Sequence, residues 1–211
     1  MGNRAVITTK ENFENNGVGV YLHWNGGYDS VSAFLKYCEL KGYRSPDYDN
    51  YGWARLCQVI GNFFGGSTSV GIDVVSKLDC DNWDNGVYII KGWEIVDRKY
   101  HNGSEQMEYD LKEMLLDIDG CMPENEQIGE YLQAKEVTIE ELKVGDTVFV
   151  EDNLNGKFTK HHVMGFGEDE FRNGTNVKGM PYVDLYGDSQ RGYNWNINNY
   201  ILTKTVRIVE E

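Results

Sequence analysis

Apolar residues recur with a helical period in two segments of the first third of the chain. Val31, Phe34, Leu35 and Cys38 stand at positions i, i+3, i+4 and i+7, which places them on one face of a helix. The same spacing returns over residues 53–64, and glycine follows each segment. Because glycine commonly ends a helix, the pattern predicts two amphipathic helices with defined ends.

Short runs of β-branched and aromatic residues flank these two helices. Such runs are typical of strands, and we predict strands at residues 4–9, 18–23, 69–75, 87–91 and 93–100. Residues 12–17 contain three asparagines and end in glycine, so we expect them to join the first two strands as a hairpin loop. Gly92 indicates a turn between the last two strands.

The middle of the chain combines a helical period with many carboxylates. An apolar stripe runs from Met107 to Ile118 between acidic positions, which predicts an amphipathic helix over residues 104–118. Residues 125–134 are expected to form a shorter helix. We therefore expect an acidic helical segment at residues 104–133.

From residue 136 the pattern changes to short alternating strands separated by Gly/Asn turns. The stretch from Lys143 to Val150, with its Gly-Asp turn, resembles the opening of SH3-like barrels. We therefore predict an α+β protein of two domains. Residues 1–135 form a mixed sheet-plus-helices unit, and residues 136–211 form a small, β-rich, SH3-like barrel-type unit.

Composition sets limits on the class of protein. The chain has 211 residues, of which 40% are hydrophobic and 13% aromatic, so wholesale disorder is excluded. It contains no apolar run near the roughly 20 residues of a membrane span and does not begin like a signal peptide. We expect a cytoplasmic protein. The four cysteines show no C-x-x-C spacing.

The negative charge is concentrated in the middle of the chain. The net charge is −14, and residues 100–153, with 3 Lys/Arg and 15 Asp/Glu, account for −12 of it. Such a block repels nucleic-acid phosphate and attracts a basic protein partner. Its expected contact residues are Glu105, Glu108, Asp110, Glu113, Asp117 and Asp119. The alternative is a solvated acidic face that only keeps the protein soluble.

Catalytic signatures are absent from the sequence. It has no G-x-S-x-G, H-E-x-x-H or Walker pattern. His161 and His162 are adjacent in a predicted strand, so their rings point to opposite faces and do not share one metal. We expect no catalytic residue, no metal and no cofactor, which favours a binding protein over an enzyme.

One glycine turn supports a different hypothesis. A strand is followed by Asn25, Gly26 and Gly27, and then by Asp29 and Ser30 at the start of a helix. Backbone N–H groups at such a turn can bind phosphate. The stretch resembles the S-G-G-x-D-S loop of ATP pyrophosphatases, with asparagine in place of the first serine. In this hypothesis Asp29 holds Mg²⁺ beside a nucleotide. In the alternative, the turn is structural and either Asp29 or Ser30 caps the helix.

A broader resemblance covers most of the chain. The segments 2–8, 19–30, 51–55 and 177–184 resemble small uncharacterised accessory proteins of Gram-positive phages and mobile elements. That resemblance implies a bacterial host cytoplasm and an inhibitor of host defence, of the anti-CRISPR or anti-restriction type. The alternative is a small-nucleotide binding protein or hydrolase that sequesters or degrades a nucleotide signal. A third possibility is a structural or regulatory module.

Overall fold

The computed structural model describes residues 2–47, 50–101, 103–151, 158–168, 171–172, 175–184 and 200–209. The chain divides into two compact units, residues 1–129 and 130–211. The sequence pattern changes at residue 136, and the predicted boundary after residue 135 stays a prediction.

A five-stranded sheet in the order β3-β2-β1-β4-β5 forms the first unit. Its strands are β1 (Ala5–Thr9), β2 (Val18–Leu22), β3 (Val70–Val74), β4 (Val87–Lys91) and β5 (Glu94–Lys99). The central pair β1 and β4 is parallel, with Val6 opposite Val87. The other three pairings are antiparallel. The five predicted strands are confirmed, and Gly92 turns between β4 and β5 with φ of 64°.

Four helices accompany this sheet: α1 (Lys10–Glu14), α2 (Tyr28–Leu40), α3 (Asn50–Phe63) and α4 (Leu111–Gly120). The two helices predicted from apolar spacing are confirmed as α2 and α3. Gly42 follows α2 with φ of 63°, a left-handed conformation that glycine adopts without strain.

The core lies on both faces of the sheet, because every residue of β1 is buried. On one face, Val6 packs with Val87 and Ile89, and Phe13 and Leu78 cover them. Tyr88 alternates with these residues and lies on the opposite face, where its ring is 6.4 Å from that of Tyr28 in α2. The hydrophobic residues of β1 and β4 therefore stabilise two layers at once.

Two local predictions for this unit are only partly correct. The antiparallel neighbours β1 and β2 are joined as the expected hairpin, but Lys10–Glu14 form a short helix within the connection. The Thr9 side chain caps that helix by accepting the N–H of Asn12 at 3.3 Å. The helix predicted over residues 104–118 begins only at Leu111, since Asp110 has extended backbone and caps α4. Residues 103–110 are irregular in structure.

The predicted helix at residues 125–134 is also only partly correct. A short 3-10 helix covers Glu124–Glu126, and α5 covers Gly129–Gln133. The buried Asp119 carboxylate accepts the Ile128 N–H at 2.8 Å, which fixes the chain between these two turns. A tertiary contact, rather than helical periodicity, therefore determines its path.

The second unit contains a five-stranded antiparallel sheet in the order β11-β8-β7-β12-β6 and a two-stranded pair. The sheet strands are β6 (Lys135–Thr138), β7 (Thr147–Glu151), β8 (Phe158–Phe166), β11 (Pro181–Val183) and β12 (Thr205–Ile208); the pair is β9 (Phe171–Arg172) and β10 (Thr175–Asn176). A cluster around Val137, Val148 and Val163 forms its core.

The fold is mixed α+β, which confirms the predicted class. Its sheets are open. The described strands do not close into a barrel, so the expected SH3-like form of the second unit is not confirmed. Within the described part of the chain, none of the helices combines the length and apolar character that crossing a membrane requires.

Candidate interaction surface

Strand register brings five chain segments together at one end of the first sheet. Leu22 pairs with Ala5 and with Val70. Val87 pairs with Val6 and with Lys99. The segments that precede β1, β3 and β4 and those that follow β2 and β5 therefore leave the sheet at the same end. We call this the loop end.

Exposed aromatic residues are concentrated at the loop end. Ten large hydrophobic side chains are exposed among the described residues of the first unit. Seven of them lie on segments at or next to the loop end: Trp24, Tyr28, Trp83, Tyr100, Met107, Tyr109 and Leu111. Several exposed apolar side chains on neighbouring segments are a feature of interaction surfaces.

Within the segment that follows β5, the stretch from Met107 to Glu113 mixes apolar and charged residues and is exposed throughout. All seven residues from Met107 to Glu113 have exposed side chains. Met107 is 62% exposed and Tyr109 is 41% exposed, with Glu108 between them. An exposed stretch of this composition can give a partner apolar contact and negative charge together.

Asp29, in the first turn of α2, holds this segment in place. Its Oδ2 accepts the Tyr109 N–H at 2.7 Å and also the Glu108 N–H. Its Oδ1 accepts the Ser30 N–H at 2.7 Å. The side chain is only 6% exposed, so three N–H groups surround a buried carboxylate. Hydrogen bonds to a charged acceptor are among the stronger ones in proteins.

The structure thereby shows what Asp29 does at the glycine turn. The residue that caps α2 is Gly27, not Asp29 or Ser30. A Cβ built on Gly27 would lie 2.7 Å from the Gln106 carbonyl oxygen, and one on Gly26 would lie 2.6 Å from the Asn3 carbonyl oxygen. The glycines are required because the chain's own backbone lies against them.

Two of the N–H groups that the nucleotide hypothesis assigns to phosphate, those of Gly26 and Ser30, already donate to acceptors of the chain itself. The Gly26 N–H donates to the Asn3 carbonyl at 2.8 Å, and Asp29 is buried beside Ser30. Asn25 turns the chain, with φ of 53°. This geometry gives the nucleotide hypothesis no support.

Arg98 and Asn85 connect the segment before β4 with the segment after β5 at the loop end. The Arg98 guanidinium donates to both Glu105 carboxylate oxygens at 2.9 and 3.0 Å and to the Asn85 carbonyl at 2.7 Å. It also lies 3.9 Å from the Tyr88 ring centroid, a cation–π geometry. The Asn85 Nδ2 donates to Gln106 Oε1 at 3.1 Å.

Tyr88 completes the support beneath the turn. Its hydroxyl donates to the Gly26 carbonyl at 3.0 Å. Burial raises the pKa of the Tyr88 hydroxyl above its ordinary value, so the group remains a hydrogen-bond donor across the physiological range.

The six acidic residues predicted as contacts have different roles. Glu105 pairs with Arg98, and Asp110 caps α4 by accepting the Lys112 and Glu113 N–H groups. The side chains of Glu108, Glu113 and Asp117 are exposed. Glu105 and Asp110 are exposed too, although each already accepts hydrogen bonds within the chain. Five of the six carboxylates are thus accessible at the surface.

Asp119, in contrast to the other five, is buried and only 3% exposed. It accepts the Tyr37 hydroxyl at 2.6 Å as well as the Ile128 N–H. Burial and the hydrogen bond to Asp119 raise the pKa of Tyr37. Asp119 is therefore a buried acceptor that joins α4 to α2, and it does not contribute to an exposed contact.

Sequence reasoning did not identify the aromatic residues of the loop end. Trp24, Trp83 and Tyr100 are far apart in the chain and follow no common spacing, and only the strand register brings their segments together. Each lies within four residues of a strand end, which is the one sequence signal that points to this surface.

No metal centre is found among the described residues, since no three His, Cys, Asp or Glu side chains there form a suitable cluster. Comparison of the chain with protein-family models, with curated proteins and with solved structures finds no match.

Proposed function

We propose that this protein is a phage-type accessory protein that binds a basic host-defence protein and blocks its nucleic-acid groove. The contact surface consists of the exposed residues of the segment 105–117. The partner is of the kind that CRISPR or restriction systems use. The observation that carries the proposal is the run from Met107 to Glu113, in which acidic and apolar side chains are exposed side by side.

Charge complementarity supports a basic partner. Residues 100–153 have a net charge of −12, and Glu108, Glu113 and Asp117 are exposed within the segment. A positively charged groove that normally holds nucleic acid offers the complementary potential, which accelerates encounter and selects the partner.

The apolar side chains provide what charge alone does not. Exposed ion pairs each stabilise little, about 0–1 kcal/mol, so an acidic surface without apolar contacts would bind weakly and lose affinity in salt. Met107 and Tyr109 lie between the carboxylates and can be buried on binding. Residues of this type are enriched in the central parts of interfaces.

Asp29 favours binding in a further way. Because it fixes the Glu108 and Tyr109 backbone, the segment is ordered before a partner arrives. A preformed loop loses less conformational entropy on binding than a free loop does.

The test is phage plating on bacteria with a CRISPR or a restriction system, with and without expression of the protein. We expect expression to raise plating efficiency on one of these strains. The double variant Glu108→Lys/Glu113→Lys should abolish that rise. A matched variant, Glu11→Lys/Glu94→Lys, changes net charge equally at exposed carboxylates outside the segment, and it should keep the activity.

In vitro, the purified protein should displace DNA from the purified nuclease of the protected strain in a gel-shift assay. The displacement should weaken as salt is raised, because screening reaches about 10 Å at 0.1 M salt. Unchanged plating on every defended strain, or equal loss in both double variants, would refute the proposal.

A further inference from the structure

Trp83 is the most exposed large hydrophobic side chain among the described residues, at 91%. It lies in the segment before β4, at the loop end. An indole offers a large apolar area, and leaving it in water is costly relative to burial. Single exposed hydrophobic residues are common on surfaces, so exposure alone does not indicate a function.

The backbone at Trp83 is a second and unusual feature. Its φ is 60°, in the left-handed region that glycine and asparagine occupy readily and bulky residues rarely do. Asn82, Asn85 and Gly86 stand beside it in the sequence. The chain thus has residues suited to this conformation nearby, yet it places tryptophan at the strained position.

Hydrogen bonds hold the turn around Trp83 rigidly. Asn82, only 1% exposed, accepts the N–H groups of Asp84 at 3.1 Å and Gly86 at 3.0 Å. The Arg4 guanidinium donates to Asp84 at 2.7 Å, to Asp79 at 3.2 Å and to the Asn82 carbonyl. The indole is therefore carried on a fixed frame rather than on a free loop.

The charge around Trp83 indicates which kind of group would bind its indole ring. Four carboxylates lie near this turn, those of Asp79, Asp81, Asp84 and Glu105, against two guanidinium groups. Arg4 pairs with Asp79 and Asp84, and Arg98 donates to Glu105 and to the Asn85 carbonyl. An anionic partner such as a phosphate backbone or an acidic membrane surface would be repelled here. The face of an indole attracts a guanidinium or ammonium group, and the surrounding carboxylates strengthen the attraction.

The turn is also connected to the proposed contact segment. Asn85, two residues after Trp83, donates to Gln106, the neighbour of Met107. Tyr100 is a second exposed aromatic residue with left-handed backbone, at φ of 56°. A Cβ on Gly86 would lie 2.8 Å from the Tyr100 carbonyl oxygen, which places the two turns side by side.

We infer that Trp83 is the anchor residue of this surface and that it binds a cationic side chain, an arginine or lysine of the partner protein, over its indole face. This inference rests on the proposed function, since it specifies which side chain of the basic partner contacts the loop end. Tryptophan is among the residues that most often dominate binding energy at interfaces.

The test uses the intact protein labelled with 5-fluorotryptophan and an octa-arginine peptide as the probe. The Trp83 signal in the fluorine NMR spectrum is assigned by its loss in Trp83→Asn. Adding the peptide should shift that signal, and an uncharged Gly-Ser octapeptide should not. Trp83→Asn should weaken peptide binding about five- to thirtyfold, the range expected for a cation–π contact as it is desolvated.

Asparagine is chosen because it suits the left-handed backbone, so this variant should fold and melt no lower than the original chain. Tyr51→Ala removes another exposed aromatic ring, 65% exposed, from α3 and serves as the control, with unchanged affinity. A Trp83 signal that stays fixed while the peptide binds, or equal affinity in Trp83→Asn, would overturn the inference.

The two proposals can fail separately in this assay. If Glu108→Lys/Glu113→Lys leaves peptide affinity unchanged while Trp83→Asn weakens it, the contact lies on the Trp83 turn and the segment proposal falls. If the charge reversal weakens binding and Trp83→Asn does not, the segment proposal stands and the Trp83 inference is refuted.

Discussion

The buried Asp29 carboxylate accepts the backbone N–H of Tyr109 at 2.7 Å, although the two residues are 80 positions apart in the chain. This contact fixes the exposed acidic segment onto the start of α2. It also explains why residues 103–110 are not helical: their N–H groups at Glu108 and Tyr109 bond to Asp29 rather than to a preceding helical turn.

Asp29→Asn should destabilise the protein. A carboxylate accepts hydrogen bonds at both oxygens, whereas an amide has one acceptor side and one donor side. Either the Ser30 N–H or the pair from Glu108 and Tyr109 would face an NH₂ group, at a cost of about 1–3 kcal/mol. Urea unfolding would measure the loss, and hydrogen exchange should show faster opening at residues 108 and 109.

Asp110→Asn is the matched control for that variant, because asparagine caps a helix about as well as aspartate. Its unfolding midpoint should change little. A similar loss in both variants would show that negative charge near α4, rather than the bonds of Asp29, is what stabilises the segment.

Asp119 and Asp117 should respond differently to substitution by alanine, although both lie on α4. Asp119→Ala leaves the Tyr37 hydroxyl and the Ile128 N–H without an acceptor in a buried place, which should cost about 2–4 kcal/mol. Asp117→Ala removes an exposed side chain and should stay within about 0.5 kcal/mol. Thermal or urea unfolding distinguishes them; equal effects would contradict the buried placement of Asp119.

Trp83→Asn should raise the free energy of unfolding by about 0.5–1 kcal/mol, because asparagine tolerates the left-handed backbone better than tryptophan does. The measurement is the urea midpoint of the purified variant. Trp24→Asn offers a comparison, since Trp24 is exposed but is not among the residues with positive φ. A clear loss of stability in Trp83→Asn would mean that the indole packs against the protein.

Stability should fall as the pH rises above about 9. Burial raises the pKa of the Cys57 thiol to about 11, and burial also raises the pKa of the Cys38 thiol. In the unfolded chain these thiols lose their protons near pH 8.5. Above that pH the folded state binds more protons than the unfolded state, so the free energy of unfolding decreases through the folded pKa.

Urea midpoints between pH 7.5 and 10.5 would follow this loss. Cys57→Ala removes one of the titrating groups, so its midpoint should decline less steeply over the same interval. Parallel curves for the two proteins would show that other groups cause the alkaline loss.

The sequence alone determined the elements whose signal is local. The spacing of Val31, Phe34 and Cys38 predicts α2, and the β-branched run from Val87 to Ile90 predicts β4, because each pattern is repeated within one element. The concentration of negative charge in residues 100–153 is likewise a property of the sequence. These predictions needed no knowledge of what lies beside each element.

Only the tertiary structure decided which acidic residues are exposed and which end of the sheet carries the aromatic residues. Asp117 and Asp119 are two positions apart in one acidic stretch, yet one is exposed and the other is buried against Tyr37. Trp24, Trp83 and Tyr100 share the loop end only because β1 and β4 are parallel and their neighbours antiparallel. Contacts between distant positions leave no periodic trace in a single sequence, so the fold has to form before these residues meet.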